Sequence, residues 1–164
     1  SAALNFLESK KRIVEDLRPE DYTAVDIMIG ASVGAHVRHS LDHFVRCLAV
    51  LNNTDQDESD NAEAAKESIR YDYRERGGTV ETDPVAAVKV MSCLLKQLHT
   101  LPRGSAGSEK LRGMVVAPAF LLGEGGASAA GDQEHQFTSN FERELFFCCH
   151  HGIHHDAMIR LILK

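Results

Sequence analysis

The chain has 164 residues, of which 43% are hydrophobic and 26% charged, and its formal net charge is −6. These totals predict one folded domain over residues 1–164. They exclude a general nucleic-acid binder, because no basic surface is available to neutralise phosphates. No apolar run has membrane-spanning length and no signal peptide is visible, so we expect no membrane partner.

Four stretches with apolar residues at helical spacing predict four long helices. Capping residues mark where they begin: Ser32 for the second, Asp83 for the third, and Ser139 or Asn140 for the last. The four predicted helices are residues 4–17, 33–51, 84–101 and 141–163.

The segments between these helices are less regular. Residues 20–31 are predicted to be a connection, residues 52–61 a solvated loop and residues 103–110 a Gly/Ser linker. Residues 111–122 are predicted to pair with residues 134–138 as a short β-hairpin. Four helices with short or irregular joins predict an all-α fold, a four-helix bundle with this hairpin before the last helix.

The four cysteines, Cys47, Cys93, Cys148 and Cys149, have no CxxC spacing. Each lies in an apolar context, which is typical of buried free thiols in a reducing compartment. This pattern predicts a cytoplasmic protein.

The last predicted helix carries four histidines within six residues. His151 and His155 fall one turn apart on a face shared with apolar residues, so we expect both imidazoles to point into the core. His150 and His154 form a second such pair, rotated by roughly 100°. Burying neutral imidazoles costs free energy unless each finds a partner, and a divalent metal ion between two rings is one such partner.

The second predicted helix carries His36, His39 and His43 on a face that adjoins its apolar stripe. Helices of a bundle can build a metal site from facing side chains. The alternative is a hydrogen-bonded polar core without metal, which stability insensitive to chelators would support.

Several common metal sites are excluded by the residues present. A di-iron carboxylate bundle requires paired Glu-x-x-His motifs, which are absent. A zincin requires HExxH, but Gly152 follows His151. Cys148 and Cys149 lack the partner pair of a closed zinc site. A histidine site with an open coordination position is left, which suits activation of water or a thiol.

Two signatures of the chain resemble the DinB/YfiT-like superfamily. Residues 32–39 (SVGAHVRH) with Asp42-His43 are similar to its second-helix signature, and residues 143–145 (REL) with residues 151–155 (HGIHH) are similar to its closing-helix signature. Two further segments match a DinB-like subgroup. These are residues 71–76 (YDYRER) and 81–83 (ETD).

The resemblance implies a single DinB-like four-helix bundle that holds a divalent metal with His39, His151 and His155. Zinc is the expected ion, with nickel, iron or manganese as alternatives, because histidine ligation alone does not fix the metal. The family includes metal-dependent hydrolases, and several related proteins are thiol S-transferases or a thiol-dependent isomerase. The chain departs from the family in its extra histidines and in a glycine-rich insert at residues 123–131. The extra histidines permit a shifted ligand set, in which His36, His43, His150 or His154 replaces a ligand.

Other residues are candidates for supporting roles. Glu144 and His43 are the candidate catalytic residues, although no side chain stands out as a general base. Glu144 lies two turns before His151, where it could orient an imidazole or pair with Arg74 or Arg76. Together with His36, these two arginines are the candidate substrate-binding residues, suited to a carboxylate.

The expected function is transfer of a low-molecular-weight thiol to a small electrophilic substrate, or hydrolysis of that substrate, at the metal site. The alternative is a non-catalytic bundle that binds metal or ligand as a sensor or sequestering protein. Because the last helix is apolar nearly all round, a homodimer is also expected as a candidate assembly.

Overall fold

The computed structural model of the protein describes residues 1–53, 68–72, 77–102, 104–122 and 133–164. The described chain is mostly helical, with small sheets. Its helices are α1 (Ala2–Glu15), α2 (Pro19–Thr23), α3 (Val33–Asn53), α4 (Thr79–Thr82), α5 (Pro84–Thr100), α6 (Gly104–Gly113) and α7 (Phe141–Ile162). The predicted loop at 52–61 lies outside the described residues from residue 54 onward, as does the glycine-rich insert.

Three of the four long helices begin where the sequence predicts, because side chains cap their first free amides, whereas α1 begins at Ala2, two residues earlier than predicted, with Ser1 as its cap. Ser32 Oγ accepts a hydrogen bond from the backbone N–H of Ala35 at 3.1 Å. Asp83 caps α5 in the same way, and Asn140 Oδ1 accepts from the N–H of Arg143 at 2.9 Å. Asn140 is therefore the cap of α7.

Two segments predicted to be irregular contain regular structure. The connection at 20–31 holds α2 and most of a two-stranded antiparallel sheet, β1 (Val25–Asp26) and β2 (Ala31–Ser32). Tyr22 of α2 is fully buried, and its hydroxyl donates to the carbonyl of Val80 at 2.7 Å. This long-range contact, which no local pattern reveals, holds α2 on the core.

The predicted Gly/Ser linker at 103–110 is wrong, because all of it from residue 104 belongs to α6. Glycine and serine have low helix propensity, but contacts with α7 override it. Ser108 Oγ donates to Glu142 at 2.6 Å, and Arg112 forms an ion pair with the same carboxylate. Gly107 lies so close to Pro102 that a Cβ there would stand 2.5 Å from its carbonyl carbon.

The predicted pairing of the two hairpin segments is confirmed within a larger sheet, although residues 111–113 belong to α6 and the first strand begins at Val115. Its strands are β3 (Ser68–Arg70), β4 (Val115–Leu122), β5 (Gln133–Gln136) and β6 (Ser139–Asn140). Strand β4 pairs antiparallel with β5, placing Phe120 opposite His135, and also pairs antiparallel with β6. Strand β3 adds parallel to β4, with Ile69 opposite Pro118.

The long helices pack around one hydrophobic core. Helix α3 lies against α7 and α5, while α1 contacts α5 and α7. The largest fully buried apolar side chains of this core are Tyr22, Phe44, Phe141, Leu7, Leu41, Leu48, Ile69 and Met91. Gly152 lets α1 approach α7, because a Cβ there would overlap the ring of Phe6. This close contact lies between the two histidine-bearing turns of α7.

Three of the four cysteines are buried free thiols, as expected, but Cys93 is exposed. It lies on α5 off the buried stripe that Met91, Leu94 and Leu98 form. None of the helices in the described ranges combines the length and apolar character needed to cross a bilayer.

Candidate metal centre

Three histidines from two helices converge where α3 packs on α7. His39 Nε2 lies 3.1 Å from His151 Nε2, which lies 3.0 Å from His155 Nε2. One ligand atom from each of the three rings lies within 4.8 Å of the others. These are the three residues that the resemblance implies as ligands.

The spacing of these nitrogens suits a shared metal ion. Two nitrogens bound to one ion at about 2.0–2.1 Å, at angles between octahedral and tetrahedral, lie about 2.9–3.4 Å apart. The separations of 3.1 Å between His39 and His151 and of 3.0 Å between His151 and His155 fall in this interval. Three neutral imidazoles also form the donor set of catalytic zinc sites, which keep a further position open. The residues present therefore could hold a divalent ion.

The environment keeps His155 in the neutral form that binds metals. Its ring is buried, and burial is the main cause that lowers its pKa to about 3; His151, His36, His154 and Lys10 add to the effect. An imidazole with this pKa is unprotonated at neutral pH, so no proton has to be removed before it can bind an ion.

His36 lies behind His155, on the side away from the three converging nitrogens. Its Nδ1 is 2.9 Å from Nδ1 of His155. Burial lowers the pKa of His36, with smaller contributions from Lys10 and His154. The structure thus places His36 against a candidate ligand residue, where it hydrogen-bonds the ring nitrogen that does not face the cluster.

His43 is nearly fully buried and lies between two other rings. It stacks on His151 with ring centroids 4.2 Å apart and on Tyr71 at 5.0 Å. Its Nδ1 is 3.0 Å from the carbonyl oxygen of His39. Because a carbonyl can only accept, Nδ1 of His43 carries the hydrogen and donates it.

Glu144 is fully buried, but its described hydrogen bonds go to residues other than the cluster histidines. It accepts from the Tyr71 hydroxyl at 3.0 Å, from Ser139 Oγ at 2.6 Å and from Arg143 at 2.5 Å. Burial raises the pKa of Tyr71 far above its usual value, so this phenol stays a donor. Tyr71 therefore lies between Glu144 and His43, donating to Glu144 and stacking on His43. Arg74 and Arg76 lie outside the described residues.

Sequence reasoning missed a buried ion pair close to the cluster. Lys10 of α1 is 1% exposed and pairs with Asp156 of α7, the residue after His155. Its ammonium also donates to Ser40 Oγ at 3.5 Å, and Ser40 in turn donates to the His36 carbonyl at 2.9 Å. The helical spacing of Lys10 from the buried Leu7 and Val14 was the available signal.

The other two histidines of α7 do not belong to the cluster, although the ring of His154 contacts that of His155 with centroids 5.2 Å apart. His150 and His154 are both exposed. A cavity of about 420 Å³ lies beside the same helix, but it is lined by Leu145, Phe146 and Cys149, on the side of α7 opposite His151. This cavity is therefore not part of the histidine centre.

Comparisons with known proteins do not assign the chain to a family. No family model and no solved structure matches it. A protein of Rhizopus delemar described as FK506-binding protein 5 is 34% identical over 94 residues. The match covers 57% of this chain, and the chain spans only 22% of the length of that protein. The FK506 binding that this name describes therefore belongs to that protein and is not carried over to this chain.

Proposed function

We propose that the chain is a DinB-like four-helix bundle and a metal-dependent enzyme whose ion is held by His39, His151 and His155. The observation that carries the proposal is the convergence of three imidazole nitrogens from α3 and α7, in which Nε2 of His151 lies 3.1 Å from that of His39 and 3.0 Å from that of His155. The mutual contacts of α1, α3, α5 and α7 support the bundle. Zinc is the proposed ion, with nickel, iron and manganese as alternatives.

The proposed reaction is transfer of a low-molecular-weight thiol to a small electrophile, or hydrolysis of that electrophile. A divalent ion would supply Lewis acidity that lowers the pKa of a thiol or water. The chain itself supplies orientation: His36 contacts His155, and His43 stacks on His151. His43 and Glu144 are the proposed groups for proton transfer, and Tyr71 packs between them by stacking on His43 and donating to Glu144.

The net charge of −6 and the free thiols support a cytoplasmic protein that acts on a small molecule rather than on nucleic acid or a membrane. Arg74 and Arg76 remain proposed substrate-binding residues from the sequence alone, because guanidinium groups suit a carboxylate. The second candidate is a sensor or sequestering protein, which the same three-histidine group supports because metal binding alone would suffice for it.

Metal content tests the site directly. Protein purified without a histidine tag should contain about one zinc per chain by plasma mass spectrometry. His151→Ala should lose the metal, because it removes the ring whose nitrogen neighbours both other ligands. His150→Ala is the matched control, since this neighbouring histidine is exposed. Absence of metal from the wild-type protein after reconstitution would reject the proposal.

Turnover separates the two candidate functions. If the protein is a transferase, its zinc-loaded form should consume a reactive aryl halide in the presence of glutathione. If it is a hydrolase, the zinc-loaded form should consume an activated ester without added thiol. His151→Ala should abolish either activity, while His150→Ala should retain it. Stoichiometric metal without turnover of any electrophile tested would favour the sensor or sequestering protein.

A further inference from the structure

The hydrogen bond between His36 and His155 determines which nitrogen of His155 carries a proton. The two Nδ1 atoms are 2.9 Å apart, so one hydrogen lies between them. Nε2 of His155 faces Nε2 of His151 at 3.0 Å. A ring that binds metal through Nε2 must carry its hydrogen on Nδ1. His155 is then the donor of the pair and His36 the acceptor.

The second nitrogen of His36 does not set this direction, because it is buried without a described partner whichever ring donates. If Nδ1 of His36 accepts, its own hydrogen must lie on Nε2. That Nε2 is buried and has no hydrogen-bond partner among the described residues. A buried donor without a partner costs free energy. The orientation of the ring is therefore explained by its bond to His155 and not by a partner for its second nitrogen.

The backbone carbonyl of His36 is also held by a hydrogen bond. Ser40, one turn later on α3, donates to the His36 carbonyl at 2.9 Å, and the buried Lys10 donates to Ser40. These contacts connect α1 to the part of α3 that carries His36. These contacts accordingly hold the backbone from which the His36 ring reaches His155.

We propose that His36 is a positioning residue, which accepts the Nδ1 hydrogen of His155 and so directs the Nε2 lone pair of His155 into the histidine centre. The inference rests on the proposed metal site and names the residue that orients one of its ligands. Partners of this kind fix the tautomer and ring orientation of metal-bound histidines, and their loss weakens metal affinity about 10–100-fold.

Zinc affinity of paired variants tests the role. His36→Phe keeps a ring but removes the acceptor, and we expect zinc affinity, measured by competition with a chromophoric chelator, to fall about 10–100-fold. His36→Asn retains an acceptor oxygen close to the position of Nδ1, so affinity should recover to within about threefold of wild type. His150→Phe, on the exposed side of α7, should change nothing. Circular dichroism and urea unfolding establish that each variant is folded.

Two affinity results would overturn the inference. One is His36→Phe binding zinc as tightly as wild type. The other is a folded His36→Asn variant that is as weak as His36→Phe, because an acceptor at that position would then be irrelevant.

Nitrogen-15 NMR of the imidazoles in the wild-type protein gives a readout that needs no variant and no activity. We expect the hydrogen of His155 on Nδ1 and that of His36 on Nε2, both with and without zinc. A hydrogen on Nδ1 of His36 would overturn the inference. If the wild-type protein bound no zinc, the proposed function would fail, and the metal-free spectrum would still decide the direction of the hydrogen bond.

Discussion

At the scale of single residues, Gly34 occupies a position where the chain has no room for a side chain. A Cβ there would overlap the carbonyl oxygen of Glu81 and stand 2.7 Å from Cε1 of Tyr22. Gly34→Ala should therefore lower the free energy of unfolding by about 1–3 kcal/mol, measured by urea titration. Gly78→Ala is the control, because a Cβ there meets nothing within 4 Å. Equal stability of the two variants would contradict the prediction.

The cysteines should differ sharply in their reaction with iodoacetamide. Cys93 is exposed, whereas Cys47 is fully buried and its pKa is raised well above the usual value by Cys148 and by burial. Because the thiolate is the reactive form, Cys93 should be labelled first and Cys47 should stay protected up to about pH 9. Mass spectrometry of the labelled peptides checks this order. Cys93→Ser should remove the fast phase, and rapid labelling of Cys47 in folded protein would refute the prediction.

The residues of the candidate centre could be predicted only in part. The spacing of His151 and His155 fixes them on one face of a helix, and the structure brings them together. Spacing alone could not decide between His36 and His39, because both lie on the same side of α3. The choice depends on how α3 meets α7, which places His39 at Nε2 of His151 and His36 behind His155.

At the scale of elements, the Lys10–Asp156 pair joins α1 to α7. Removing Asp156 should destabilise the protein more than removing Lys10. Asp156→Ala leaves the ammonium of Lys10, 1% exposed, without its counter-ion, whereas Lys10→Met leaves the carboxylate of Asp156, 21% exposed, within reach of water. In metal-free protein, we expect the free energy of unfolding to fall by about 3 kcal/mol in Asp156→Ala and by about 1 kcal/mol in Lys10→Met. Lys11→Met breaks the exposed pair with Glu15 and should cost under about 0.5 kcal/mol. Urea unfolding that ranks Lys10→Met as the more damaging change would contradict this account.

The loss in Asp156→Ala should depend on pH in a defined direction. Burial lowers the pKa of Lys10 below 10.5 and Asp156 partly opposes this effect, so removing Asp156 lowers that pKa further. Between the folded and the unfolded pKa the unfolded chain binds the extra proton, and the free energy of unfolding therefore rises with pH. The deficit of the variant relative to wild type should shrink as the pH rises from about 7 to about 10. A deficit that stays constant or grows would show that Lys10 does not titrate in this way.

Elements defined by local periodicity could be predicted, while those defined by distant contacts could not. The long helices follow their apolar stripes and their caps at Ser32, Asp83 and Asn140. Helix α6 was missed because its sequence favours a linker and its stability depends on Glu142 of α7. Parallel pairing of β3 with β4 joins segments far apart in the chain, so no hairpin signal accompanies it.

At the scale of the whole molecule, the exposed side of α7 carries a stripe of large apolar side chains. Phe146, Ile153 and Leu161 are 67%, 59% and 48% exposed. Such a stripe is typical of an interaction surface, and we expect a homodimer to bury it. Sedimentation velocity should show a dimer that Ile153→Glu dissociates and that Val85→Glu, at an exposed site on α5, leaves intact. A monomeric wild-type protein at high concentration would reject the dimer.

The two helices that supply the histidines are far apart in the sequence, since His39 and His151 are 112 positions apart. His151 and His155 need only one turn of helix to come together, whereas His39 reaches them only after α3 has docked on α7. We therefore expect the full set of three nitrogens to assemble late in folding, because contacts between distant segments form after local helix. Uptake of a coloured ion such as cobalt during refolding would then report when α3 docks on α7, separately from the earlier formation of helix.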